Sequence, residues 1–134
     1  SLITTAVNEN LAQVIEFLTQ DMTRNGIHPA AQFRLITAAE EIFANIASYA
    51  YPNTSNGRVD IITNTINDTY SAVFIDGGQK YNPLKRKDPV ITEDFKHRKI
   101  GGLGIYIAKK FADEIEYFYD NNHNILKIKV INKP

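Results

Sequence analysis

Ile100-Gly101-Gly102-Leu103-Gly104-Ile105 constrains this chain more than any other stretch, because three glycines in four residues run straight into a helical pattern. Glycine lets backbone approach a ligand closely or take dihedrals closed to other residues. The pattern that follows, with Leu103, Ile107 and Phe111 at helical spacing and no proline, predicts a helix over 103–113. A glycine turn feeding a helix aims free N–H groups and the positive dipole end at one point, which suits a phosphate; it is also how a tight turn before a packed helix looks. Two familiar phosphate loops do not fit. A P-loop needs lysine and Ser/Thr after its last glycine, where Ile105 and Tyr106 stand. A dinucleotide fingerprint needs a glycine three residues after Gly104, where Ile107 stands.

At 134 residues the chain is expected to form one domain, 1–134, with a core of its own. Fifteen basic residues balance fifteen acidic ones, so no global field favours nucleic acid or an anionic membrane as a partner. The absence of cysteine excludes disulfides and thiolate chemistry and accords with an expected cytoplasmic location. No apolar run approaches the roughly 18 residues of a membrane helix. The first residue is Ser1 rather than methionine, which keeps open a reading as part of a longer chain.

Residues 2–7 read as a short edge strand. Asn8 is the expected N-cap of a helix carrying Leu11, Val14, Ile15, Leu18 and Met22 on one face and stopped by Gly26. Pro29 opens a second helix through Leu35, Ala39, Ile42, Phe43 and Ile46 to about Ala50. Residues 58–66 and 70–75 form a hairpin around Asn67-Asp68, and 115–119 with 125–131 a second one around Asn121-Asn122-His123-Asn124. Between Gln79 and Lys99 no period is sustained and seven Lys/Arg residues occur, which predicts a functional or mobile loop. The fold class predicted is α+β: a two-layer sandwich, its mixed but mainly antiparallel sheet covered by helices on one face.

Three features carry chemistry. Glu41 and Asn45 lie four apart on the second helix and share a face; a carboxylate beside an amide oxygen suits activation of a hydroxyl and retention of Mg²⁺, although a solvated helix face has the same pattern. Asp76 ends a strand before Gly77-Gly78, placed to accept a hydrogen bond from an exocyclic amine with Gly78 leaving room for a flat ring, or simply to make a turn. The basic loop brings Arg98 and Lys99 next to the glycine turn, fit to neutralise phosphates or to be solvated. His28, His97 and His123 show no metal-ligand spacing.

In this order the features resemble the Bergerat ATP-binding fold, and more closely the bacterial anti-sigma-factor serine/threonine kinases. Residues 38–51, AAEEIFANIASYAY, are similar to that family's N box; 76–84, DGGQKYNPL, resemble its D-x-G-x-P-F-(D/N)-P-L segment; 101–115 resemble its second glycine box and helix. The resemblance implies Glu41 as the base for phosphoryl transfer and Asn45 as the Mg²⁺ ligand. It implies Asp76 reading the adenine amine and Gly78 flanking the ring. Tyr81, Arg98, Gly101, Gly102, Leu103 and Gly104 would contribute to ATP or ADP binding, and 84–99 would form the ATP lid. The same resemblance implies a sigma factor and a STAS-type anti-sigma antagonist as partners, and a homodimer. Tyr49 stands where histidine is common, Lys80 replaces proline or glycine, and Ile100 replaces a glycine. Lys127 and Lys129 occupy a strand where threonine is common. A non-catalytic nucleotide-gated binding module and a catalytic fragment of a longer sensor kinase are the alternative readings.

Overall fold

The computed structural model describes residues 1–85 and 103–134. The elements are β1 (Leu2–Thr5), α1 (Leu11–Arg24), α2 (Pro29–Tyr49), β2 (Arg58–Ile66), β3 (Thr69–Asp76), α3 (Leu103–Phe111), β4 (Glu114–Asp120) and β5 (His123–Ile131). The strands form one five-stranded sheet ordered β1-β2-β3-β5-β4. Every pairing among the described residues is antiparallel, in keeping with the mainly antiparallel sheet expected.

Period-two alternation sorts the strand residues. Val59 and Ile61, Tyr70, Ala72 and Phe74, and Leu126, Ile128 and Val130 point into one core with Val14, Leu18 and Met22 of α1, Leu35, Ile42 and Phe43 of α2, and Ile105 and Ala108 of α3. Burying each of the larger side chains stabilises the fold by about 1.5–3 kcal/mol. The opposite face carries Ile3, Ile62, Phe118 and Ile131, all exposed. The described helices therefore cover one face only.

Local chemistry sets the element ends. Asn8 does not cap α1 by its side chain. Residues Asn8–Asn10 form a 3-10 turn and α1 begins at Leu11, while Asn10 Nδ2 is drawn back to the Thr5 carbonyl at 3.1 Å. Gly26 ends α1 with φ +69°, a left-handed conformation that favours glycine. His28 caps α2, its Nδ1 accepting from Ala30 N at 3.0 Å, and Pro29 takes the first turn.

The β4–β5 hairpin differs from expectation in a way that matters for the site. Its loop is two residues, Asn121 and Asn122, with φ of 51° and 61°, the positive pair that a tight primed turn needs and asparagine tolerates. His123 and Asn124 consequently belong to β5, and Asn124 faces Asp76 across the β3–β5 ladder. Pro83–Lys85 make a 3-10 turn, and the remainder of the expected lid lies outside the described residues.

Candidate functional site

Three elements meet around a cleft: the C-terminal half of α2, the end of β3 with the segment after it, and the β4–β5 edge. Helical spacing sets Ile42 and Ile46 as the apolar floor while Asn45 and Tyr49 reach the rim. Asp76, Gln79, Tyr81, Tyr117 and Asn124 form the other wall. The rings of Tyr49 and Tyr81 lie 6.2 Å apart between centroids, tilted by 42°. Tyr49, at a position where the resembling family often has histidine, thus supplies an aromatic side to the cleft.

Asp76 is 4% exposed. Its Oδ1 accepts from Gly78 N at 3.0 Å and from Asn124 Nδ2 at 2.9 Å. Burial pushes its carboxyl above the usual range, opposed by the hydrogen bonds from Asn124 and Gly78 and by His123. The segment after Asp76 is strapped to the end of α2: Gln79 N donates to the Ala50 carbonyl at 2.8 Å and Gln79 Nε2 to the Tyr49 carbonyl at 2.6 Å. Tyr51 completes the strap, its hydroxyl accepting from Gly77 N at 2.8 Å and donating to the Arg58 carbonyl at 2.5 Å. A Cβ on Gly78 would lie 2.2 Å from the Ala50 carbonyl oxygen, so this position needs glycine for close backbone approach to α2. Gly78 was expected to leave room for a flat ring; the visible steric demand comes from Ala50.

Glu41 lies one helical turn before Asn45 and meets the start of α3. Its Oε2 is 2.5 Å from where a Cβ on Gly104 would stand. Burial first, and Glu40 second, raise its carboxyl above the usual range, which makes it a stronger base. Among the described residues neither Glu41 nor Asn45 makes a side-chain hydrogen bond, so both heads are available to a ligand. No group of three or more His, Cys, Asp or Glu able to hold a metal occurs among the described residues. Asn45 offers an amide oxygen, a donor of the kind hard cations take.

The structure thus gathers Asn45, Asp76 and Tyr81 in one cleft, with Gly78 behind it and Glu41 beside Gly104. Leu103 opens α3; Arg98, Gly101 and Gly102 lie outside the described residues. Asn124 and Tyr117 went unnoticed in the sequence. Asn124 was assigned to a turn, yet Asn124, Leu126, Ile128 and Val130 alternate onto one face, and a polar residue heading such a row is the signal that could have found it. Lys127 and Lys129 stand on the other face. Lys129 Nζ pairs with Glu114 at 3.2 Å and Glu116 at 3.6 Å, away from Asp76. Lys80 places its ammonium over the Tyr119 ring at 4.8 Å.

The fold is an α+β sandwich of the Bergerat type. The catalytic domain of histidine kinase ThkA shares it, with a TM-score of 0.52 at 14% identity over 98% of this chain and 97% of that one. The RsbU and RsbW domains of a Mycobacterium tuberculosis protein give a TM-score of 0.68 at 15% identity over 99% of this chain, which spans 33% of that one. These likenesses concern fold alone. The sequence family described as the histidine kinase-like ATPase domain matches residues 4–130, and the chain belongs to that family. Among curated relatives it is similar to serine-protein kinase RsbW of Listeria innocua, 24% identical over 83% of this chain and 73% of the relative. Serine-protein kinase RsbW of Bacillus thuringiensis is 29% identical over 72% of this chain and 62% of the relative.

Proposed function

We propose that this chain is an ATP-dependent serine/threonine kinase of the anti-sigma type. It binds ATP with Mg²⁺ in the cleft between α2 and the Asp76 segment, phosphorylates an anti-sigma antagonist of the STAS type, and holds a sigma factor when that antagonist is absent. A homodimer working in the cytoplasm is part of the same reading. The relatives named serine-protein kinase RsbW support the reaction class. The observation that carries it is the closeness of Glu41 to Gly104, which sets a carboxylate of raised basicity at the start of α3.

On this reading each residue has a task. Asp76, ionised, accepts from the adenine amine, while Tyr49 and Tyr81 flank the base. Asn45 would hold Mg²⁺, which when bound neutralises charge on the phosphates. Glu41 takes the proton of the acceptor hydroxyl as that oxygen attacks the γ-phosphorus. The bond from the γ-phosphorus to its bridging oxygen breaks, and ADP leaves with the electron pair.

Incubation with γ-labelled ATP, Mg²⁺ and a candidate antagonist, followed by phosphoamino-acid analysis, tests this. Label on serine or threonine is expected. Tight ATP binding without transfer to any antagonist would replace the kinase by a nucleotide-gated binding module.

A further inference from the structure

Asn124 uses its whole amide. Its two N–H bonds go to Asp76 Oδ1 and the Gln79 carbonyl, both at 2.9 Å. Its Oδ1 accepts from Tyr81 N at 3.1 Å and from the Tyr117 hydroxyl at 2.5 Å. Both donors and both lone pairs are spent, and flipping the amide would break all four bonds at once. Its orientation is fixed.

That orientation decides what Asp76 can offer. Oδ1 is engaged twice, by Asn124 and by Gly78 N. Among the described residues, Oδ2 accepts no hydrogen bond. Asn124 lines the cleft yet has no donor left for a ligand. The reading edge is therefore one carboxylate oxygen, an acceptor that wants a donor opposite. Adenine supplies one with its exocyclic amine; guanine sets a carbonyl oxygen at the corresponding place, acceptor against acceptor.

We propose that Asn124 is the positioning residue that keeps Asp76 an acceptor-only reader of the base, and so sets the preference for adenine over guanine. The proposal rests on the ATP-binding reading above and adds the residue that makes it selective. A protonated Asp76 would carry a donor on Oδ2 and could pair with the guanine carbonyl. The titratable groups facing Asp76 are Tyr117 on β4, His123 on β5 and Tyr51 after α2. Both phenols are neutral, so neither holds the carboxylate ionised. That falls to the hydrogen bonds from Asn124 and Gly78, with His123 adding to them. Asn124→Asp keeps the shape but replaces the donor by a second carboxylate, and two carboxylates in contact share a proton.

The experiment is calorimetric titration with ATP and with GTP, from about pH 5.5 to 8, on the wild type, Asn124→Asp and Tyr117→Phe. Circular dichroism establishes that each variant is folded. The wild type should prefer ATP across this range. In Asn124→Asp the ATP/GTP ratio should drop on the order of tenfold at neutral pH and vary steeply with pH. Tyr117→Phe removes one of the four amide bonds while keeping the ring that packs against the core, and should lower the ratio a few-fold; it carries the test if Asn124→Asp does not fold. A wild type without preference for ATP overturns the adenine reading and this proposal with it. A wild type that prefers ATP, with folded variants keeping its ratio and its pH profile, overturns this proposal alone.

Discussion

The carboxylate of Glu41 occupies the space that a side chain on Gly104 would need: its Oε2 lies 2.5 Å from the position of a Cβ there. Gly104 is the second residue of α3, so the start of that helix and the proposed base are sterically joined. Gly104→Ala meets the mobile end of a side chain rather than backbone, and alanine favours the helix by about 1 kcal/mol. Thermal stability should stay within about 1 kcal/mol of wild type, while phosphoryl transfer falls on the order of 10–100-fold as Glu41 is displaced. Melting curves beside transfer rates check this. An unchanged rate would separate Glu41 from the chemistry.

Gly78 presents the contrary case. Its missing Cβ would strike the Ala50 carbonyl oxygen at 2.2 Å and carbonyl carbon at 2.6 Å, backbone that cannot swing aside. Gly78→Ala should destabilise the fold by about 1–3 kcal/mol, as overpacking does. It should also weaken ATP binding, because Gly78 N helps hold Asp76. Urea denaturation and calorimetry measure the two effects; a variant of wild-type stability would contradict the packing.

Asp76 gives a pH-dependent expectation. Its folded carboxyl lies above the usual range because of burial, so the native state holds a proton more readily than the unfolded chain. Keeping it ionised at neutral pH therefore costs stability, and that cost fades as pH falls into and below the carboxylate range. Asp76→Asn should raise the denaturation midpoint at neutral pH, with the gap over wild type closing in acid. Its amide should meanwhile present a donor to adenine and abolish the preference for ATP, a trade of function for stability. Denaturation midpoints across pH, beside ATP titrations, test both halves. A variant less stable than wild type at neutral pH would contradict the account.

Helices, strands and their order were legible because periods of 3.6 and 2 are written in side chains such as Val14, Leu18 and Met22, or Leu126, Ile128 and Val130. The placement of Glu41 and Asn45 on α2 and of Asp76 at the end of β3 was legible because each position is fixed by its own element. Asn124 was not, because its role depends on a turn one residue pair shorter than read and on the register between β3 and β5, which no local pattern states. Tyr51 was missed for a related reason: its hydroxyl joins Gly77 to Arg58, residues brought together only by the fold.

The claim at the centre of this account is that Glu41 accepts the proton of the attacked hydroxyl. Single-turnover transfer from γ-labelled ATP to an antagonist protein, with ATP and Mg²⁺ saturating, measures it directly for the wild type and Glu41→Gln. Glutamine keeps the shape and the helix but cannot take the proton. The transfer rate should fall on the order of 10²–10⁴-fold, with ATP affinity changed far less. A wild type that transfers phosphate while Glu41→Gln does so equally fast would contradict the assignment.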